Sequence, residues 1–334
     1  MNVMLWNYVR CATGACALVP LLAACAGIGE SLPSRPAPEV RVGVAPASSG
    51  ELLYVSEYGG KVVDVFSYPQ DVFLGNVAGL VGTPQGECVD KKGNVWIVET
   101  GGHPTIQRFA HGGSGPAAQL SDEGENPYGC SVDPTTGNLA VSSEYSSTSF
   151  QGSVAIYKNA TGTPAIFIDK KIELVLWCGY DDKGNLFVDG LPPDDAARFG
   201  PRAKKASEFA LAELPKGRKT FTDIALSGIK FPGNIQWDGT SLTIGNPAYR
   251  TGSAIERVQV TGATAKITGT TVLKGSYEVF GSWIQGDTVI GPDEGSGTSA
   301  VYLWKYPGGG KPTATLSKGS SMFFNGPFGA AVSP

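Results

Sequence analysis

One phrase returns around this chain. It reads Pro84-Gln-Gly-Glu-Cys-Val-Asp90, then Gly93-Asn-Val-Trp-Ile-Val-Glu99. It recurs as Pro127-Tyr-Gly-Cys-Ser-Val-Asp133 with Gly137-Asn-Leu-Ala-Val-Ser-Ser-Glu144, and as Leu176-Trp-Cys-Gly-Tyr-Asp181 with Gly184-Asn-Leu-Phe-Val-Asp189. Looser copies are Pro232-Gly-Asn-Ile-Gln-Trp-Asp238 with Leu242-Thr-Ile-Gly-Asn246, and Gly281-Ser-Trp-Ile-Gln-Gly-Asp287 with Val289-Ile-Gly-Pro-Asp293. A strand-like unit repeating every roughly 40–50 residues predicts a propeller or a solenoid.

The two ends choose between them. The chain finishes on Pro327-Phe-Gly-Ala-Ala-Val-Ser333, a first half without a second, and the repeat region opens on Leu52-Leu-Tyr-Val-Ser-Glu57, a second half without a first. Joined, they complete one unit, which is what a closed ring needs to leave no open sheet edge. Five internal copies and one split copy predict an all-β, six-bladed β-propeller, its N-terminal blade completed by the C-terminal strand. Further strands are predicted at Thr105–Ala110, Ala118–Leu120, Ser153–Tyr157 and Pro164–Ile168, short β-branched and aromatic runs between turn residues. Their weak alternation suits blades covered on both faces.

The 334 residues include 46 Gly and 23 Pro, as expected of a turn-dense domain of roughly 280 residues. Net charge is −4 with both signs interspersed, so nucleic acid is not an expected partner. The cluster Arg198, Arg202, Lys204 and Lys205, beside Asp194 and Asp195, reads as a solvated loop.

The organisation read from the sequence is 1–24 signal peptide, 25–50 tether and 51–334 propeller. Cys11 to Ala24 is an apolar run too short for a permanent bilayer span. It ends Leu22-Ala-Ala-Cys25-Ala26, which resembles the lipobox of bacterial lipoproteins. That resemblance implies cleavage before Cys25, a diacylglycerol on its thiol, and a monomeric propeller tethered outside the cytoplasm in the bacterial cell envelope. Residues 26–50, rich in Pro, Ala, Ser and Gly, read as the flexible tether.

Cys88, Cys130 and Cys178 then remain, an odd number that leaves at least one thiol unpaired. Alternation turns Cys88 to the opposite blade face from the other two, so Cys88 and Cys130 face each other across one blade interface. The residues leave a disulfide open there but favour small, buried, unpaired core groups.

The unit around Pro84–His103 looks like an NHL repeat, and the region 51–334 is similar in repeat architecture to NHL and SMP-30/gluconolactonase-like propellers. That resemblance implies six blades and a binding platform, with metal-dependent lactonases among the relatives. The lactonase ligand set of a Glu, two Asn and an Asp does not map onto defined positions here. His103 and His111 flank one strand, and His103 falls where NHL repeats carry a turn histidine.

One constellation remains. The second strands end on Glu57, Glu99, Glu144, Asp189, Asn246 and Asp293, which a closed ring gathers on one face. Such oxygen donors suit Ca²⁺ or a cationic ligand. Asp and Asn also satisfy turn N–H groups, a task for which Glu is less suited. Trp177 and Trp283, four residues before their closing Asp, and Tyr128 and Phe328 are expected either to fill blade wedges or to stack on a ligand. The longest interruption, Gly190 to Ala206, follows Asp189. The expected function is therefore non-enzymatic binding of a ligand or envelope protein on this face. The alternative is a metal-dependent hydrolase using the same face.

Overall fold

Turn chemistry explains the repeated phrase. In the computed structural model the closing Asp of each strong copy folds back on the turn that follows. Asp90 Oδ1 accepts the N–H of Lys92 (2.8 Å) and Asn94 (3.0 Å), and Oδ2 accepts Asn94 Nδ2 at 2.8 Å. Asp181 does the same with Lys183 and Asn185. Gly93, Gly137 and Gly184 sit at φ of 78°, 75° and 84°, a left-handed turn position that other residues resist. Asp and Gly therefore set each hairpin between first and second strands.

The structure describes residues 50–102, 104–122, 125–149, 151–193, 209–249, 252–295, 299–318 and 324–334. The signal segment, Cys25, His103 and the Arg198–Lys205 cluster lie outside these residues, as does all of the tether except Gly50. The described strands begin with β1 (Leu52–Glu57), β2 (Val62–Ser67) and β3 (Val72–Asn76). A second sheet holds β4 (Thr83–Val89), β5 (Val95–Thr100), β6 (Thr105–Phe109) and β7 (Pro116–Ser121). A third holds β8 (Glu125–Val132), β9 (Leu139–Ser146), β10 (Ser153–Tyr157) and β11 (Ala165–Phe167). The fourth has β12 (Leu174–Tyr180), β13 (Leu186–Leu191), β14 (Ala210–Leu214) and β15 (Thr222–Ile224). The fifth has β16 (Ile235–Trp237), β17 (Leu242–Tyr249), β18 (Gly252–Thr261) and β19 (Thr264–Leu273). The sixth has β20 (Trp283–Gln285), β21 (Thr288–Asp293), β22 (Ala300–Lys305) and β23 (Ala314–Thr315).

The last strand, β24 (Pro327–Ser333), joins the first sheet in the order β24-β1-β2-β3. It pairs antiparallel with β1, Leu52 opposite Ser333 and Tyr54 opposite Ala331. The fold is thus the six-bladed β-propeller with a split first blade. All six residues of β1 and all seven of β24 are buried, which explains the lost alternation: both faces of the blade are covered.

Neighbouring blades are stitched near the axis as well as packed. Ser142 Oγ donates to Leu176 O at 2.7 Å, from the third blade to the fourth. Ser56 Oγ donates to Gln85 O, from the first to the second. Between the fifth and sixth, Gln236 Nε2 donates to Ile284 O at 2.9 Å while Ile284 N donates to Gln236 Oε1 at 2.8 Å. Between the second and third blades the stitch is covalent. Cys88 and Cys130 form a disulfide with Cα atoms 5.6 Å apart. The sequence placed the two side chains face to face but favoured unpaired thiols, because alternation gives direction and not the separation of neighbouring strands. Cys178 stays free and buried.

A clasp holds the closing segment. Lys318 Nζ pairs with Glu57 Oε1 and lies 3.3 Å from Asp64 Oδ2, and Asn325 N donates to Glu57 Oε2 at 2.5 Å. Burial, with Glu57 adjacent, lifts Asp64 to about 9. Burial also pushes Glu57 upward, but hydrogen bonds from Asp64, Lys318 and Asn325 outweigh it and hold Glu57 low.

Two outcomes follow. Deleting Phe324–Pro334 exposes the β1 edge and opens the ring, so circular dichroism melting of the truncated chain is expected to show no cooperative transition. A parent-like melt would refute the split blade. Replacing Cys88 and Cys130 together by Ala removes a cross-link between residues 42 positions apart, and chemical denaturation is expected to show a loss of about 2–5 kcal/mol.

Candidate functional site

The second strand of each blade delivers its rim residue, at or near the strand's end, to one face of the ring. These side chains mostly turn inward. Glu57, Glu99, Asp189, Asn246 and Asp293 are 0–1% exposed, and Glu144 is half-buried. Their oxygens accept hydrogen bonds from the segment leading into, or beginning, the inner strand of their own blade. Glu99 Oε2 takes the N–H of Val81 (2.7 Å) and Gly82 (2.6 Å). Asp293 takes Tyr277 N (2.9 Å) and Glu278 N (2.8 Å). Asn246 Oδ1 takes Lys230 N at 3.3 Å, and Glu144 Oε2 takes Asn126 Nδ2 at 2.9 Å. Asp189 accepts Trp177 N within its own blade and Gly233 N from the next, both at 3.3 Å.

Glu57, Glu99, Asn246 and Asp293 therefore repeat one local device, in which a side-chain oxygen accepts a backbone N–H of the chain entering the inner strand, while Asp189 accepts within that strand and from the next blade and Glu144 accepts a side-chain amide. Burial raises Glu99 and Asp293 above the usual carboxylate range and Asp189 well above it, with the amide donors pulling each back. Among the described residues no group of three or more His, Cys, Asp or Glu is arranged to hold a metal ion.

Aromatic rings gather where this rim meets the axis. Trp177 of the fourth blade stacks on Phe328 of the first, centroids 5.6 Å apart at 19°. Tyr128 of the third blade stands edge-on to both, at 5.1 and 5.2 Å. Phe280 stacks on Phe328 at 6.3 Å, Tyr58 meets it edge-on at 6.2 Å, and Phe231 packs on Phe280 at 5.9 Å. The indole of Trp177 reaches across the axis. A Cβ at Gly129 would lie 2.9 Å from its Cε3, and one at Gly281 2.9 Å from its Cη2. These glycines of the repeated phrase leave room for a single large ring shared by the blades.

Trp177 and Phe328 form the buried floor, 3% and 6% exposed. Tyr58, Tyr128, Phe231 and Phe280 are half-buried around it. The sixth blade adds Glu294, whose Oε1 accepts the Tyr58 hydroxyl at 2.5 Å. Burial lifts this carboxyl to about 7, with Tyr58 pulling it back and Glu278 and Asp293 adding to the rise.

Trp283, aligned with Trp177 by its offset from the closing Asp, is elsewhere. Its Nε1 donates to Gln285 at 3.1 Å. It lines a depression of about 290 Å³ together with Val89, Val132, Val332 and Pro334, where the inner strands end. His111 Nδ1 lies 2.7 Å from Ser333 Oγ, a contact between blades.

The sequence did not single out Tyr58 or Glu294. Each follows a rim residue by one position, in adjacent blades, and period-two alternation from the buried Glu57 and Asp293 turns the next side chain the other way. It also passed over Glu87. This carboxyl occupies the position that Cys130 and Cys178 fill in the next two blades. It is 7% exposed, against Gly329 and Ser56, and burial drives it well above the usual carboxylate range.

Comparison with solved structures returns the fold. A chain of the crystal structure of a nidogen/laminin complex superposes with a TM-score of 0.63 at 13% identity, covering 85% of this chain and 99% of that one. A Bacteroides caccae protein of unknown function superposes at 0.58 and 12% identity, with the same coverage. A functionally unknown protein from Desulfotomaculum acetoxidans DSM 771 gives 0.52 and 10%, again covering 85% and 99%. No protein-family model and no curated protein matches the chain. The likeness is one of fold.

Glu87 generates a pH signature. A carboxyl whose folded pKa is raised contributes stability below the ordinary carboxylate pKa and loses it as pH rises through the folded value. At pH 8, Glu87→Met is expected to be more stable than the parent, because the buried carboxyl must either ionise without a partner or hold a proton against solvent. The gain should shrink as pH falls toward about 4. Denaturation curves whose difference does not change with pH would show that Glu87 is not held protonated.

Proposed function

We propose that this protein is a non-enzymatic binding propeller, tethered to a bacterial membrane through Cys25, whose aromatic axial mouth receives a ligand or a partner's side chain. One observation carries the reading. The rim oxygens brace the protein's own backbone, whereas the half-buried rings and Glu294 beside them converge on the axis with surface to spare. Aromatic surface with a few placed polar groups is the usual composition of a binding site. The fold recurs in a chain of a nidogen/laminin complex, which is compatible with a binding role.

β1 leaves Glu51 on the face of the Trp283 depression, where Glu51 Oε1 accepts Gln285 Nε2 at 2.6 Å, and it ends at Glu57 on the opposite face. The lactonase alternative asks more of the rim residues. To hold a divalent ion, Asp189, Asn246 and Asp293 would have to turn oxygens that now accept backbone N–H groups, and each buried N–H left unpaired costs about 1–3 kcal/mol.

Two measurements test the proposal. Cys25→Ser is expected to lose lipid labelling and to move the protein from the membrane to the soluble fraction, since a covalent lipid supplies the anchor. Unchanged membrane association would remove the tether. A saturation-transfer NMR screen of mixed small molecules and short peptides is expected to give hits that Glu294→Lys abolishes, with no lactone or phosphoester turnover in Ca²⁺, Mg²⁺ or Zn²⁺. Metal-dependent turnover lost in Asp189→Asn would replace the binding reading with the hydrolase.

A further inference from the structure

The chemistry of the axial mouth narrows what it accepts. Six rings from five blades assemble there, and at least Tyr58, Tyr128 and Phe280 keep part of their surface in solvent over the Trp177–Phe328 floor. Aromatic faces carry negative charge density, and several of them set side by side with surface in solvent attract a cation. A counter-ion is already placed. Glu294 sits beside Tyr58, with Oε1 held by the Tyr58 hydroxyl and no described residue donating to Oε2. An ordered carboxylate at the edge of such an aromatic surface is what an ammonium group requires.

The electrostatics around Tyr128 point the same way. Its hydroxyl is pushed up first by burial, then by Glu144, Glu294, Asp189 and Tyr58, which all act in the same direction. Of these, Glu144 and Glu294 come from the third and sixth blades, so acidic groups flank the rings from two sides, while burial keeps Asp189 and the Tyr58 hydroxyl protonated at neutral pH. An anion would meet repulsion here. A bare divalent ion prefers six to eight oxygens, and the mouth offers chiefly carbon faces. A neutral flat ligand would gain the stacking but leave Glu294 unanswered.

We propose that the mouth formed by Tyr58, Tyr128, Phe280 and Glu294 over Trp177 and Phe328 binds a compact organic cation, an ammonium group with Glu294 as its counter-ion. This deepens the binding reading and rests on it. Both a free amine and a lysine side chain of a partner present this group; the shared chemistry is the ammonium.

The experiment compares a cation with its neutral twin. Choline and 3,3-dimethylbutan-1-ol have nearly the same shape and differ in the charge. Each is titrated into the full chain in detergent by calorimetry, alongside Nα-acetyl-lysine amide to separate a free ammonium from a lysyl one. Choline is expected to bind at least about tenfold more tightly than the alcohol. Glu294→Gln should remove most of that preference while its melting curve stays like the parent's, whereas Tyr128→Phe, which keeps the ring, should retain it. Binding should also tighten between pH 6 and pH 8 as Glu294 ionises beside Tyr58, Tyr128, Glu278 and Asp293, the described titratable groups that face it. Equal binding of choline and the alcohol would overturn the cation inference yet leave a binding mouth. No binding of either cation would overturn it too, and the binding reading then stands or falls on hits from the mixed screen. A choline preference that survives Glu294→Gln would place the cation elsewhere and defeat the assignment.

Discussion

The antiparallel pairing of β24 with β1 is the constraint on which the rest depends. Twenty-three strands in sequence would make an open arc with a bare edge at Leu52–Glu57. The last strand supplies hydrogen-bond partners for that edge, and closing the sheet closes the ring. Only in a closed ring do residues from the first, third, fourth, fifth and sixth blades meet at one axis. The Trp177 ring can touch the first, third and sixth blades because closure brings their inner strands within one indole's width. The Lys318–Glu57–Asp64 clasp sits where the closing segment returns, at the one blade whose continuity is not covalent. The disulfide reinforces the next interface but one, between the second and third blades.

Much of the architecture was legible because the repeat encodes local chemistry. Asp90 and Asp181 brace the turns that follow them, and Gly93, Gly137 and Gly184 make the left-handed positions, so the phrase survives wherever the hairpin does. Split halves at the two termini follow from closure alone. What was not legible depends on register. Trp177 and Trp283 have the same offset from a closing Asp, yet only Trp177 reaches the axis. The pairing of β12 with β13 shifts register between Val175 and Trp177, and β4 and β8 carry similar irregularities near Gly86 and Gly129. The short β20 pairs regularly from Trp283 onward. A bulge re-aims the side chain beside it, and counting from an Asp cannot reveal one. The disulfide escaped for a related reason: facing directions follow from alternation, whereas a bonding distance depends on how closely two blades nest.

The rim shows why residue type at a repeated position is weak evidence of ligand chemistry. Five carboxylates and an amide on one face suggest a metal cradle until the partners of their oxygens are traced. Glu99, Asp189, Asn246 and Asp293 are oriented by the N–H groups of the chain leading into or beginning an inner strand, a demand every blade makes because that segment belongs to no earlier strand. Glu serves as well as Asp where the donors lie farther off, as Val81 and Gly82 do for Glu99. The positions are therefore shared by structure, and variation in blade function must arise beside them.

It arises one residue later. The side chain after the rim residue emerges on the opposite face of the strand. In the six blades that position holds Tyr58, Thr100, Tyr145, Gly190, Pro247 and Glu294, with none of the uniformity of the rim. Tyr58 and Glu294 are adjacent in the ring and bond each other, so a repeated scaffold delivers a pair that occurs only once. A rigid, self-satisfied rim holding a few unrepeated groups at a common axis suits recognition. The scaffold fixes where the rings and the carboxyl stand, so binding need not order them, and the entropy cost of association is correspondingly smaller.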